Sequence, residues 1–189
     1  MKSSDVLIAS MFPLMSQTTT PAAPATTVTT PAGTIDPKLI VPFVNAVRNV
    51  FMTMVHVKTE IGRPFTKGVP APQHDVSSII GFSGEVVGTC VVSFELEAAR
   101  KLVASFAQME LPDDSADFAD ALGELANMIA GGAKKDLGAV ASISTPSVIM
   151  GKGHSIARLK DVPCLIIPCT TEVGDFAVEV SMKRMTKAA

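Results

Sequence analysis

The chain has no Trp and no Tyr among its 189 residues. Stacking of bases or sugars would fall to nine Phe, and most of these sit in apolar runs that read as core. There is no basic excess either. Sixteen Lys and Arg against eighteen Asp and Glu leave a net charge of -2, which argues against nucleic acid as a partner. No apolar run approaches the ~20 residues of a membrane-spanning helix, so no membrane insertion is expected. Cysteine is scarce: Cys90, Cys164 and Cys169 lie in apolar surroundings without metal-ligand spacing. An odd number so placed reads as free, buried thiols of a reducing compartment, here the cytoplasm. His56, His74 and His154 are scattered singly, and no HExxH or CxxC occurs near them. A catalytic metal held by the chain itself is therefore not expected.

What is present divides in two. Residues 17–34, QTTTPAAPATTVTTPAGT, are of low complexity and carry no charge. Such a stretch cannot bury enough surface to offset the entropy of ordering, and residues 1–34 are expected to be a disordered tail and linker. The apolar stretch Val6–Met15 ahead of it is short, interrupted by Pro13 and preceded by Asp5. It departs from a signal peptide in each respect. It reads as a frayed terminus or, alternatively, as a docking peptide on a flexible leash.

The folded domain is expected over 35–189. Asp36 followed by Pro37 marks a helix start, and Leu39, Phe43, Val47, Val50, Met54 and Val57 recur at helical spacing, predicting a helix through Val57 with this face in the core. A Pro/Gly-rich connection with room for one short edge strand follows. Alternation in DVSSIIGFSGEVVGTCVVSF predicts strands over 76–82 and 86–93 around a turn at Ser83-Gly84-Glu85. Helices are expected over 95–108 and 116–137, the second capped by the Asp113-Asp114-Ser115 cluster. Strands over 141–150, 162–170 and 174–184 complete the chain. This order predicts an α+β fold, with about three helices packed on a mostly antiparallel sheet of five to six strands.

The helix DFADALGELANMIAGGAKKDLG is the informative segment. At ~100° per residue, with Asp120 at zero, Glu124 falls at about 40°, Asn127 at about -20° and Gly131 at about 20°. Phe118, Leu122, Leu125 and Ile129 fall on the opposite side. A polar row on an amphipathic helix is usually a solvated face. Three features set this one apart. Asn is a poor mid-helix residue, Gly131-Gly132 weakens the helix, and Ala119, Ala121, Gly123, Ala126 and Ala130 flank the row with small side chains. Small flanks let another backbone approach closely.

Asp120, Glu124 and Asn127, followed by Pro146, resemble the signature of the CheC/CheX/FliY chemotaxis phosphatases: Asp or Ser, three residues, Glu, two residues, Asn, then a Pro. The surrounding DALGELANMIAGGAK and STPSVIMGKGH are similar to the same family, as are the hairpin over 75–94 and the helix after it. The resemblance covers about 36–184. It implies a single CheC-like domain that hydrolyses the aspartyl-phosphate of a CheY-like response regulator. Glu124 and Asn127 would be catalytic, and Asp120, Glu124, Asn127 and Gly131 would contact the partner. The phosphatase would need no cofactor of its own, with Mg²⁺ held by the regulator. It also implies a homodimer, joined through the sheet. The interval from Asn127 to Pro146 is a few residues shorter than the family pattern. Asn45 and Asn49 on the first helix lack a Glu three residues earlier, so one site per chain is expected, as in CheX.

Other polar residues invite bland readings. Lys134 and Lys135 complement the helix dipole. Gly151-Lys152-Gly153 is no phosphate loop, since no helix follows, and His154 beside it is not expected to touch the reaction. Glu95, Glu97 and Arg100 read as a capped, solvated helix start. Two other classes of function fit the chain. A regulator-binding adaptor or sink would not need Asn127. A structural part of the flagellar switch would be expected to carry a further C-terminal domain.

Overall fold

The computed structural model describes residues 37–66, 74–157 and 162–185. The Asp36 cap and the tail and linker over 1–34 lie outside them. A 3₁₀ turn at Pro37–Leu39 leads into helix α1, Val41–Val50, with Pro42 in its first turn, where a missing N–H costs nothing. The helix does not continue as an α-helix to Val57. Phe51–Val55 forms one π turn that ends at His56 in the left-handed region (φ 58°). The wider turn changes which residues face inward: Phe51 and Val55 are fully buried, while Met54, assigned to the core by α-helical spacing, is 42% exposed.

Among the described residues eight strands follow rather than five or six. They are β1 (Thr59–Ile61), β2 (Phe65–Thr66), β3 (Val76–Gly84), β4 (Val86–Phe94), β5 (Ala141–Ile143), β6 (Ser147–Met150), β7 (Cys164–Thr171) and β8 (Gly174–Arg184). Helix α2 spans Leu96–Ala107 and α3 spans Ala116–Asp136. The sheet is open and antiparallel throughout, in the order β1-β7-β8-β4-β3-β5, with β2 also on β7 and β6 also on β3. The expected single strand over 141–150 is two strands, interrupted at Ser144–Pro146. The α+β class, the three helices and the long hairpins agree with the sequence expectation.

Alternation along the long strands sorts their residues between two faces. Val86, Cys90, Val92 and Phe94 of β4 and Phe176, Val178, Val180 and Met182 of β8 enter one core with Phe43 and Val47 of α1, Leu102 of α2, and Phe118, Leu122, Leu125 and Ile129 of α3. Phe176 stacks on Phe51 at 4.5 Å between ring centroids, joining β8 to the π turn. Ser77, which pairs in register with Ser93, faces away from the helices, and its Oγ lies 2.8 Å from His154 Nε2. His154 Nδ1 lies 2.7 Å from the Gly151 carbonyl oxygen. This residue therefore fastens the connection after β6 to the far face of the sheet, away from α3. All three cysteines are buried, and none is in a disulfide. Burial pushes the Cys90 and Cys169 thiols up to about 12. No helix among the described residues is long and apolar enough to cross a membrane.

Candidate functional site

Helix α3 is anchored at both ends. Ser115 is its N-cap: its Oγ accepts from the Phe118 N–H at 3.1 Å and donates to the Pro112 carbonyl at 2.6 Å. Lys134 and Lys135 occupy the last turn, where the dipole favours positive charge. The ion pair of Arg100 with Asp113, 2.5 Å, ties α2 to the approach to α3, and Glu97 adds a second carboxylate to the same guanidinium. The hydrogen bond from Arg100 holds the Asp113 carboxyl below the usual carboxylate range. The start of α2 is capped differently from expectation. Glu95 makes no side-chain cap, and Asp75 Oδ2 instead faces the Leu96 N–H at 3.4 Å.

Between these anchors α3 buries Phe118, Leu122, Leu125 and Ile129 and turns the polar row outward. Asp120 and Glu124 are exposed, and Asn127 and Gly131 are half-buried. Asn127 Nδ2 donates to Glu124 Oε2 at 3.3 Å. The amide donor is thereby engaged by the chain itself, while Asn127 Oδ1 can accept from a partner or a water. Glu124 keeps a second carboxylate oxygen for a cation. All four residues of the row share one face, as their spacing requires. Asn45 and Asn49 are exposed on α1, with no carboxylate three residues before either.

Several of the small residues around the row pack against the chain itself. Ala126 and Ala130 are fully buried in the chain's own core. Gly123 faces the break between β5 and β6: a Cβ there would lie 3.0 Å from Pro146 Cγ and 3.7 Å from Val148 Cγ2. Gly132 faces α1, where a Cβ would lie 3.1 Å from Ala46 Cβ. Gly131 is open, with Ile143 Cδ1 at 3.9 Å as its nearest neighbour. Gly123 and Gly132 thus admit the chain's own edge strand and first helix. Sequence reasoning missed the contact between Gly123 and Pro146. The available signal was a glycine inside a helix and a proline inside an expected strand.

Comparison with known proteins identifies the family and the fold. The family model for "Chemotaxis phosphatase CheX" matches residues 76–170. The chain is 27% identical over 153 residues to the CheY-P phosphatase CheX of Thermotoga maritima, covering 79% of this chain and 98% of that protein. A putative chemotaxis protein of known structure from Desulfovibrio vulgaris Hildenborough is 36% identical, with a TM-score of 0.70 over 77% of this chain and 97% of that one. The CheX–CheY–BeF3–Mg²⁺ complex of Borrelia burgdorferi contains a chain 27% identical to this one, with a TM-score of 0.65 over 80% of this chain and all of that one. By sequence and by fold, the chain belongs to the CheX family of chemotaxis phosphatases.

Proposed function

We propose that the chain hydrolyses the aspartyl-phosphate of a CheY-like response regulator, using Glu124 and Asn127 inserted into the regulator's active site. The observation that carries this reading is the outward-facing pair itself, an amide held by a carboxylate at 3.3 Å on a helix face free to meet another protein. The regulator brings both the phosphoryl group and its Mg²⁺. An acyl phosphate hydrolyses unaided, so what remains is to place a water in line with the P–O bond.

Asn127 Oδ1 accepts a hydrogen bond from that water and aims its lone pair at phosphorus. The water oxygen forms the new P–O bond while the bond to the aspartyl oxygen breaks. The aspartate leaves as carboxylate with the bonding electrons, and inorganic phosphate departs with the water's oxygen and both its protons, one of which it can then release to solvent. Glu124 orients the Asn127 amide through Oε2 and offers its other oxygen to the ammonium of the regulator's active-site Lys, which sets the helix in register. Asp120 and Gly131 border the contact. The reaction takes place where the regulator works, in the cytoplasm. Among the described residues the open sheet ends in β1/β2 at one edge and β5/β6 at the other, and a homodimer joined through the sheet would form at such an edge.

The test is phosphate loss from a panel of phosphorylated, Mg²⁺-bound receiver domains of the host. At least one should decay faster with the wild-type protein than alone. If one binds and none decays faster, the chain is an adaptor and the reading fails.

A further inference from the structure

The interval between β5 and β6 is built rigidly for so short a segment. Ser144 N–H donates to the Gly81 carbonyl at 2.9 Å, and Gly81 N–H donates to Ser144 Oγ at 2.9 Å. Ser144 Oγ in turn donates to the Thr145 carbonyl at 2.7 Å. A side chain thus replaces one rung of the β3 ladder, and the chain steps out of the sheet before resuming as β6 at Ser147. Pro146, with its φ fixed by the ring, sits at the end of this step. Its ring lies against α3 where Gly123 has no side chain.

That position has a consequence for the row. On the helical wheel Gly123 falls at about -60°, Asn127 at about -20° and Glu124 at about 40°. Helical side chains lean toward the N-terminus, so the Asn127 side chain lies back over the turn that contains Gly123 and Glu124. Glu124 takes its amide on one side, and Gly123, against which the Pro146 ring packs, lies on the other. The carboxylate accepts from the amide. The proline ring offers no hydrogen bond and occupies the space that a Gly123 side chain would otherwise fill.

We propose that Pro146, seated in the notch left by Gly123, is a positioning residue that bars the Asn127 amide from the Gly123 side and so holds it on Glu124. This rests on the proposed function in one respect only, that the held amide is the reactive one. The positioning itself is a property of the free chain.

Two side-chain χ1 wells are open to Asn within a helix, and its χ2 is broad. Loss of the wall doubles the accessible range of each, so Pro146→Ala lowers kcat about fourfold. KM stays within twofold of wild type, because Glu124 and the docking face are unchanged. Gly123→Ala forces a methyl against the ring and lowers both Tm and kcat. In the double variant Gly123→Ala/Pro146→Ala the methyl takes the vacated space, and kcat returns to within twofold of wild type. A residue needed only for folding would not give a loss confined to kcat, nor a gain of kcat on adding the second substitution. The same question is read without a regulator from the Asn127 χ1 couplings by NMR, with one rotamer in wild type and averaged couplings in Pro146→Ala. Averaged couplings already in wild type, or identical couplings in Pro146→Ala, overturn the proposal. So does a loss confined to KM, or a double variant no faster than Gly123→Ala. If wild type dephosphorylates no regulator, it is the proposed function that falls, and the couplings alone decide this inference.

Discussion

Gly131 and Gly132 are neighbours on α3, yet a methyl group added at each meets different surroundings. Either Gly→Ala change removes a mid-helix glycine, which favours the folded state by about 1 kcal/mol. At Gly131 the new Cβ meets Ile143 Cδ1 at 3.9 Å, an ordinary contact, so the gain is kept. Gly131→Ala should raise Tm by about 2–4 °C for a domain of this size. At Gly132 the new Cβ would lie 3.1 Å from Ala46 Cβ, inside the ~3.5–4.0 Å optimum for carbon pairs. Pushing α1 and α3 apart costs about 1–3 kcal/mol, which cancels or exceeds the helix gain. Gly132→Ala should therefore leave Tm unchanged or lower it by several degrees. Adding Ala46→Gly removes the opposing methyl, so the two substitutions should couple favourably by about 1–3 kcal/mol in a double-mutant cycle. Thermal unfolding of the four proteins measures this. An equal rise of Tm for both glycine variants, or zero coupling, would refute the argument that α1 and α3 meet through Gly132. The methyl at Gly131 has a second effect if the row docks as proposed: it intrudes on the regulator and raises KM.

Two further outcomes follow from burial. Ser78 is fully buried in β3, and its hydroxyl has no hydrogen-bond partner among the described residues. Ser78→Ala relieves an unsatisfied group and should stabilise the domain by about 1 kcal/mol, seen as a higher urea midpoint at unchanged m-value; a lower midpoint contradicts this. Burial pushes the Cys90 and Cys169 thiols up to about 12, so neither carries appreciable thiolate at pH 8. The native protein should react very slowly with a disulfide reagent, and all three cysteines should react at once in denaturant. Rapid labelling of Cys90 in the native state would show that the sheet core opens far more readily than its packing allows.

The long elements were legible because their periodicity is unbroken. β-branched alternation gave both strands of the first hairpin, and the apolar seam of α3 fixed the outward face of the polar row. The π turn was not legible. Met54 sits at the α-helical interval from Val50, and only the tertiary contacts of Phe51 and Val55 shift the turn by one residue. β1 and β2 are three and two residues long, with no periodicity of their own, and form by pairing with β7. The break at Ser144–Pro146 did leave a trace, since Pro within an expected strand favours an edge or an interruption. What no spacing rule could show is that this proline reaches Gly123. The contact joins residues 23 positions apart through the ladder of β3, and it converts a helix weakness into a fitted notch.

The most direct measurement of the central claim is single-turnover dephosphorylation of the cognate regulator by Asn127→Ala, beside its affinity for the activated regulator. The account predicts a fall in rate of about a hundredfold or more, comparable to the loss of a positioned general catalytic group, with affinity within a few-fold of wild type. A wild-type rate with Asn127→Ala would contradict it and leave the polar row of α3 as a docking face alone.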